Sequence, residues 1–377
     1  MPVGGPSHYN QGSATARASP ERRTRAWEDG RVKTSVIVVD WHRPELTDRC
    51  LRAVFAQEGV VDVEVVLVAK EAPPEEAERW RALHPGLLVA VEAENVGFAA
   101  GVQRGLSTAT GEVVVLVNND AVPEPGFLAA GLRALSAGHA DVVAAAATVV
   151  LEGRFRPARP SDDPTGVLVG LDGARWDRDA DGVQLLNGTG DEMTRQGNGH
   201  DRDWLGPLVE GAAEHDRDPF GFSGGAAFLR RDAVDAVGGF DPALFMYYED
   251  LDLAWRLRLA GGRIVHVPDA VVVHRHAGSS DSGSTFVRYQ SMRNRLAVVL
   301  RNGTSVLVLR VLLRTAGRFA EDLLLPDARR HLPAHRWRQL ARALPGLVTS
   351  ALRHRRADAV ARDRRLAVES LLVPGPR

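Results

Sequence analysis

The chain has 377 residues, of which 44% are hydrophobic and 25% charged, a composition typical of globular proteins and not of disordered or fibrous ones. Its 47 Lys and Arg nearly balance its 48 Asp and Glu, and Cys50 is its only cysteine, which excludes an internal disulfide framework. Basic residues concentrate after Arg301, so the C-terminal part is basic and the middle acidic. Because the basic character is confined to that part and no recognition module is visible, the composition argues against nucleic-acid binding.

The two ends of the chain differ in character. Residues 1–33 are polar and lack the apolar core of a signal peptide, so we expect a disordered arm there. The most apolar stretch near the other end, SVLVLRVLLRTAG, is short and interrupted by Arg310 and Arg314, so no segment is predicted to span a membrane. A single cysteine fits a reducing compartment, and we expect a cytoplasmic protein.

From Thr34 to about Leu151, apolar runs alternate with helical patterns. The predicted strands are SVIVVDW, VEVVLVA, LLVAVEA and EVVVLVN, and the predicted helices begin at PELTDRC, PPEEAER, FAAGVQR and PGFLAAG. Strands that are apolar on both faces predict a mostly parallel sheet covered by helices, an α/β fold whose ligand lies beyond the carboxyl ends of the strands. The polar groups at those ends are Asp40-Trp41-His42-Arg43, Ala69-Lys70-Glu71, Glu94-Asn95 and Asn118-Asn119-Asp120.

Periodicity fails between Glu152 and Pro219, where Gly, Asp and Asn are frequent. A stretch of this length without pattern predicts a functional loop region, here an acceptor loop, or disorder. Regular patterning returns with the strand GFSGGAAFL, a short helix and the strand RIVHVPDAVVVHRH. We therefore expect one domain over residues 34–283 and a basic helical region over 284–377.

Three acids follow an aromatic run in FMYYEDLDLAWRLRL, namely Glu249, Asp250 and Asp252. Acidic residues favour the N-terminus of a helix, where the macrodipole stabilises them, and this is one interpretation. The other is that one carboxylate faces a cleft and accepts a proton, with a pKa raised by its acidic and aromatic neighbours. Asp252 and Arg256 are four residues apart and can pair on one helix face.

The strand end VNND ends in Asp120, before a turn that contains proline. A carboxylate there is well placed for Mg²⁺ or Mn²⁺, which bind through one or two carboxylates and a diphosphate. An Asx-turn that closes the strand explains the same residue.

Five segments in this order resemble the family 2 glycosyltransferases, most of all their non-processive, rhamnosyltransferase-like members. The segments are SVIVVDWHRPELTDRCLRAVFAQ, ENVGFAAGVQRGL, GEVVVLVNNDAVPEPGFL, the stretch from GFSGGAAFL to VVVHRH, and RYQSMRNRL. The resemblance covers the chain from Thr34 to Leu296. It implies a GT-A fold, a nucleotide-diphospho-sugar donor, a divalent metal (Mg²⁺ or Mn²⁺) and inversion at the anomeric carbon.

The resemblance also implies roles for individual residues. Asp250 matches the general base, with Glu249 tuning it or contacting the acceptor. Asp120 matches a metal ligand, and His274 resembles the histidine that completes the metal site, with His276 as the alternative. The residues matched to the donor site are Asn95, Gly97, Phe98, Gly101, Asn118, Asn119, Gly224 and Gly225. Strand-end position adds Asp40, Trp41, Arg43 and Glu71 to the predicted donor-binding residues.

Some positions depart from the family pattern. Ala69 stands where an acid is expected after the second strand, and Glu71 is the nearby substitute. No QxxRW motif is present, which argues against a processive synthase. Arg293 and Asn294 match a family pair that contacts phosphate or acceptor, although a plain helix surface explains them as well.

The sequence therefore predicts a metal-dependent inverting glycosyltransferase, with dTDP-rhamnose as one candidate donor and a glycan, lipid-linked or small-molecule acceptor. The alternative is a degenerate family member that acts as a binding or scaffold subunit. A nucleotidyltransferase is disfavoured because DWHRPEL lacks a glycine-rich loop. The basic C-terminal helices suggest contact with the inner face of a membrane, and a solvated face or a homo-oligomer contact explains them equally well.

Overall fold

A computed structural model describes residues 32–136, 140–208, 217–275, 284–326 and 329–375. The expected N-terminal arm therefore lies almost entirely outside the described residues, as does His276. The described residues form an α/β structure in which helices cover both faces of a central sheet. The predicted fold class is confirmed.

The strands of the described chain are β1 (Thr34–Trp41), β2 (Val63–Lys70), β3 (Leu88–Glu92), β4 (Val113–Asn118), β5 (Ala121–Pro123), β6 (Val142–Leu151), β7 (Phe155–Pro157), β8 (Leu168–Val169), β9 (Arg175–Arg178), β10 (Leu186–Gly188), β11 (Asp191–Met193), β12 (Gly199–Asp201), β13 (Ala226–Arg230) and β14 (Arg263–His274). The helices are α1 (Pro44–Phe55), α2 (Pro74–Leu83), α3 (Gly97–Thr108), α4 (Phe127–Ser136), α5 (Arg231–Ala236), α6 (Glu249–Leu259), α7 (Thr285–Asn302), α8 (Ser305–Leu324), α9 (Ala334–Asp358) and α10 (Arg362–Glu369). A short 3₁₀ helix spans Pro242–Leu244.

Nine of the described strands form the central sheet, in the order β3-β2-β1-β4-β13-β6-β14-β5, with β10 paired to β6. Strands β1 to β4, β6 and β14 run in one direction, because β13 is antiparallel to both β4 and β6 and β14 is parallel to β6. The mixed, mostly parallel sheet therefore brings the carboxyl ends of β1, β2 and β4 to one edge, as expected.

Close packing between α3 and β1 depends on two small residues. A Cβ added at Gly101 would lie 2.9 Å from a Val39 methyl carbon, and one at Gly105 would lie 2.5 Å from Ile37 Cγ2. Gly101, predicted as a donor-site residue, thus lets the helix approach the strand. It positions the N-terminus of α3 at the sheet edge without facing the edge itself.

The region from 152 to 219, expected as a loop region or disorder, contains short strands. Strands β7, β9 and β8 form a small antiparallel sheet, and β11 and β12 form a hairpin. Residues 209–216 of this region lie outside the described part of the chain.

The four C-terminal helices pack against α6. Trp255 of α6 belongs to one buried cluster with Leu296, Val299, Val311 and Trp337 from the helices α7 to α9. None of the described helices is long and apolar enough to cross a membrane.

Candidate active site

Asp120 and His274 lie side by side at the edge of the central sheet. Strand β14 pairs with β5 in a register that sets His274 opposite Ala121, the residue after Asp120. His274 Nε2 lies 3.1 Å from Asp120 Oδ1. Strand pairing thus brings together the two residues that resemblance implies as metal ligands, although they are 154 positions apart in the sequence.

The hydrogen bonding of His274 makes this pair suitable for a cation. Its Nδ1 lies 2.9 Å from Asn187 Oδ1, so the tautomer with a proton on Nδ1 can donate to that oxygen and leaves Nε2 facing the Asp120 carboxylate. In that tautomer a cation between Nε2 and the carboxylate would relieve the repulsion of two acceptors. Within the described chain no three His, Cys, Asp or Glu side chains are grouped to hold a metal. Water and diphosphate oxygens are the further ligands that Mg²⁺ commonly takes.

A buried hydrogen-bond network supports the turn that carries Asp120. Thr47 Oγ1 donates to Asp40 Oδ1 at 2.5 Å, and Asn119 Nδ2 donates to the same oxygen at 3.1 Å. Burial raises the pKa of Asp40, although these hydrogen bonds oppose the shift. Asp40 and Asn119, both predicted to bind donor, are buried groups that hold the turn from beneath.

The ends of β1 and β2 form a second group of predicted residues. Trp41 Nε1 donates to Glu71 Oε2 at 2.8 Å, and Lys70 Nζ lies 6.0 Å from the centre of the Trp41 ring. Burial lowers the pKa of Lys70 to about 8, while Asp40 and Glu71 oppose the shift. Lys70 is the buried cation of this group. The sequence placed it at a strand end but gave no reason to count it among the donor-binding residues. Arg43 precedes α1 and is exposed.

The glycine turn is tied to the loop that precedes α6. Asn95 Oδ1 accepts from the Gly97 N–H at 3.1 Å, and Gly97 adopts a φ of +84°. A Cβ on Gly97 would lie 2.4 Å from the Phe245 carbonyl oxygen. The same oxygen accepts from the N–H groups of Phe98 and Ala99, at 2.6 and 3.0 Å. The predicted donor turn and the acidic helix therefore share one anchor.

The loop before α6 has an unusual backbone. Phe245, Tyr247 and Tyr248 have φ values of +64°, +67° and +72°, a region that costs energy for residues with side chains. The buried Asn294 Nδ2 donates to three carbonyls of this loop, those of residues 244, 246 and 247, at 2.7, 2.9 and 2.7 Å.

These contacts correct the interpretation of the Arg293–Asn294 pair. Asn294 is fully buried, so it contacts neither phosphate nor acceptor and is not a helix-surface residue. Arg293 Nη1 donates to Ala243 O at 3.0 Å and to Asn294 Oδ1 at 2.6 Å. The pair clamps the strained loop.

Asp250 lies in the first turn of α6 and is held by backbone donors. The Gly224 N–H donates to its Oδ2 at 3.1 Å, and the Leu251 N–H donates to its Oδ1 at 2.8 Å. The next residue, Gly225, accepts through its carbonyl from the Asn118 N–H at 2.9 Å. Asp250 is thereby linked, through the two predicted glycines, to the end of β4.

Four carboxyl groups, Asp191, Asp201, Glu249 and Asp250, form what we call the carboxylate cluster. The hairpin sets Asp191 opposite Asp201. Burial raises the pKa of Asp250 despite its backbone hydrogen bonds, and burial together with Asp250 raises the pKa of Glu249 and Asp191 well above the usual range. Glu249 Oε2 is buried without a hydrogen-bond partner among the described residues.

Both Asp250, from the carboxylate cluster, and His274, from the Asp120–His274 pair, affect the pKa of Asp201. Burial and Asp250 raise its pKa to about 7, whereas His274 lowers it. Hydrogen bonds also link Asp250 through Gly224 and Gly225 to Asn118, two residues before Asp120, so the two halves of the candidate site share one region. Neither Asp191 nor Asp201 was predicted, because their three-residue strands leave no periodicity to detect.

Asp252 has a structural role, as helical spacing predicts. Its Oδ2 accepts from Arg256 Nε at 2.8 Å, and its Oδ1 accepts from Asn302 Nδ2 at 2.9 Å. Although burial acts to raise its pKa, Arg256 and Arg301 hold that pKa below the usual range. The predicted Asp252–Arg256 pair is confirmed.

A cavity of about 290 Å³ lies elsewhere, lined by Asp252, Arg293, Arg301 and side chains of α9. None of the predicted catalytic, metal or donor residues lines it. It adjoins the back of the clamped loop.

The chain is similar to known protein families and proteins. The family model described as glycosyl transferase family 2 matches residues 35–238, more than half of the chain, and that of glycosyl transferase family group 2 matches residues 181–316. A stretch of 78 residues is 42% identical to N-acetylglucosaminyl-diphospho-decaprenol L-rhamnosyltransferase of Mycobacterium tuberculosis, in two strains. That match covers 20% of this chain and only 25% of the relative.

A solved structure shares the fold. GalNAc-T7 with UDP, GalNAc and Mn²⁺ superposes with a TM-score of 0.54 at 13% identity, over 78% of this chain and 52% of that one. The mannosyltransferase PcManGT of Pyrobaculum calidifontis, with GDP-Man and Mn²⁺, gives a TM-score of 0.48 at 20% identity over 93% and 90% of the two chains. The chain belongs to glycosyl transferase family 2 and is a glycosyltransferase of GT-A fold.

Proposed function

We propose that this chain transfers one sugar from a nucleotide-diphospho-sugar to an acceptor hydroxyl, with inversion at the anomeric carbon. The observation that supports the proposal most is the hydrogen-bonded link from Asp250 through Gly224 and Gly225 to Asn118, two residues before Asp120. A base and a metal-binding pair within one region suit a single displacement, in which the acceptor attacks opposite the leaving diphosphate.

In the proposed reaction, Asp250 and the Asp120–His274 pair have different roles. Asp250 accepts the proton of the attacking hydroxyl, a role that suits a carboxylate with a raised pKa. Asp120 and His274 would hold the divalent ion, which would supply positive charge against the negative charge of the leaving diphosphate. Asn187 holds the His274 ring so that Nε2 faces this position.

For the donor we propose a deoxythymidine-diphospho-sugar such as dTDP-rhamnose, supported by the short match to a rhamnosyltransferase. For the acceptor we propose a hydroxyl of a glycan, a lipid-linked sugar or a small molecule, and the name of the same relative favours the lipid-linked class. For the metal we propose Mn²⁺ or Mg²⁺, and the two solved structures named above contain Mn²⁺.

The Asp250→Asn substitution tests the catalytic assignment. An amide keeps the shape of the side chain and cannot accept the proton, so we expect kcat to fall about 10²- to 10⁴-fold while donor binding persists. Asp235→Asn, on the exposed surface of α5, is the matched control and should keep full activity. Undiminished turnover by Asp250→Asn would overturn the assignment.

A scaffold function remains the second candidate, because Ala69 stands where an acid is expected. A thermal-shift panel of nucleotide-sugars with and without Mn²⁺ distinguishes the two, since a ligand that binds only the folded state raises its apparent stability. A transferase should show a shift that needs Mn²⁺ and is lost in Asp120→Asn. A scaffold shows no shift with any donor.

A further inference from the structure

The outward face of helix α8 is apolar along its whole length. Phe319, 41% exposed, contacts Trp337 edge-on at the border of this face. The other exposed apolar residues of the helix are Val306, Leu309, Leu313, Ala316, Ala320, Leu323 and Leu324. The five larger ones are each 58% to 87% exposed. At about 100° per residue these positions fall within a sector of roughly 100° on the helix. We call this sector the α8 stripe.

One edge of the α8 stripe is basic. Arg310 and Arg314 are exposed and lie roughly 40° and 80° beyond Val306 on the helix wheel. Arg318 continues the same row and pairs with Glu321 at 3.0 Å. The helix therefore presents an apolar surface bordered by arginines.

The opposite face of α8 is fixed to the body of the protein. Leu307, Val311 and Thr315 are buried there, and Arg295 Nη2 donates to Thr315 Oγ1 at 2.7 Å. Asp322 accepts from Trp337 Nε1 at 2.9 Å and so holds the end of the helix. The α8 stripe is thus presented by a helix that is already anchored, and no described element covers it.

We propose that the α8 stripe docks on a lipid bilayer that carries anionic headgroups. The helix is 20 residues long, about 30 Å at 1.5 Å per residue. It lies in the plane of the interface, with leucines inserted among the acyl chains and the arginines at the headgroups. This is the arrangement that an apolar sector with a basic edge stabilises.

Charge distinguishes the bilayer from a second copy of the chain as the occupant. A symmetric pairing of two stripes would need acids to meet Arg310 and Arg314. Within α8, which the structure describes throughout, the acids are Glu321, already paired with Arg318, and the buried Asp322. Anionic headgroups supply the missing negative charge.

The hairpin that carries part of the carboxylate cluster lies on the buried side of α8. Arg310 Nη1 donates to Arg195 O at 3.3 Å, and the turn at Gly197 packs against Val311. The strands of that hairpin carry Asp191 and Asp201, three residues or so from the turn, about 10 Å. Docking at the α8 stripe would therefore hold the cluster away from the bilayer by more than one helix diameter, about 10 Å.

Vesicle flotation of the full chain tests the docking, without donor, acceptor or turnover. We expect the protein to float with phosphatidylcholine vesicles that contain phosphatidylglycerol, and less with phosphatidylcholine alone or at high salt. The double variant Leu309→Glu, Leu313→Glu should bind at least about tenfold more weakly. The double variant Arg310→Gln, Arg314→Gln should also bind about tenfold more weakly and lose its salt dependence.

A matched control places the same two charges elsewhere. Val61 and Leu83 are exposed apolar residues near β2 and at the end of α2, and the double variant Val61→Glu, Leu83→Glu should float like the wild type. Absence of wild-type flotation, or unchanged flotation of the leucine variant, would overturn the proposal. So would a wild-type dimer that the leucine variant abolishes without any vesicle binding, since the stripe would then meet a second copy. Loss of transfer in Asp250→Asn leaves all these outcomes unaffected.

Discussion

The buried carboxyl groups of the candidate site lie close together, and their pKa values are raised above those of isolated carboxyls. Each member of the carboxylate cluster is desolvated, and the charge of Asp250 raises the pKa of the other three further. Such an arrangement costs stability, and active sites commonly keep groups of this kind because the chemistry needs a base with a raised pKa.

The pH profile of transfer should report the order in which these carboxyls ionise. The general base must be ionised, so kcat/KM falls as pH drops through its pKa. The charge of Asp250 raises the pKa of Asp201 to about 7, so Asp250 ionises first and Asp201 is still protonated on the acidic limb. We therefore expect Asp201→Asn, which replaces a neutral carboxyl with a neutral amide, to leave that limb in place, as Asp235→Asn should. A limb that moves to lower pH in Asp201→Asn would show that Asp201 is ionised before Asp250.

The cost in stability should be visible at Glu249. Its folded-state pKa is raised by burial and by Asp250, so its carboxyl costs no stability at low pH and destabilises the fold as pH rises through that pKa. We expect Glu249→Gln to raise Tm at pH 8 by about 2 °C or more, with a gain that shrinks toward pH 4. Calorimetry at several pH values measures this, and a lower Tm at every pH would contradict it.

At the scale of elements, the clamp between α7 and the loop before α6 decides where Asp250 lies. Three structural features meet there. The loop has positive φ values, the Phe245 carbonyl anchors α3, and the Asn294 amide binds three loop carbonyls. The clamp joins the donor turn to the acidic helix, so a change in it should alter both.

Removal of the clamp should therefore cost activity as well as stability. Asn294→Ala leaves buried carbonyls unpaired, which we expect to cost about 1–3 kcal/mol of unfolding free energy. The matched variant Asn302→Ala, on the same helix, removes one bond to Asp252 and leaves the loop alone. At a temperature where both are folded, Asn294→Ala should lose kcat and Asn302→Ala should keep most of it. Equal activities would assign Asn294 to stability only.

The sequence predicted the elements whose pattern is local and missed those that depend on partners. Strands β1 to β4 and helices α1 to α4 follow from apolar runs and helical spacing. Strand β6 carries VVAAAATVVL, in which alanine has low strand propensity, and it is a strand because β13 and β14 flank it. The β11–β12 hairpin is too short to show a period.

In the candidate site too, some residues could be predicted from the sequence and others only from tertiary contacts. Resemblance supplied Asp120, His274 and Asp250, whereas the pairing of β14 with β5 that joins the first two has no local signal. Asn187 and the hairpin acids lie in a Gly-rich and Asp-rich stretch without pattern, and only contacts in three dimensions bring them to the site.

At the scale of the whole molecule, the C-terminal helices follow the domain boundary that we expect near residue 284. A boundary there would make them a separate unit. The structure favours integration, because Trp255 of the acidic helix shares one buried cluster with side chains of α7, α8 and α9. Arg301 and Asn302 also reach Asp252. The acidic helix α6 therefore depends on the C-terminal helices for its packing.

Graded truncation tests this dependence. A chain that ends at Gly303 loses the apolar partners of Trp255 from α8 and α9, and we expect it to be unfolded or aggregated by circular dichroism and light scattering. A chain that ends at Val360 loses α10, with the bonds from Arg365 Nη1 to the carbonyls of Arg301 and Asn302 at 2.9 and 2.6 Å. It also loses the pairing of Val373 with Met193 and Arg195. We expect it to fold with a lowered Tm and measurable transfer. Full activity of the shorter chain would show that the helices beyond Gly303 are dispensable and that the domain ends before them.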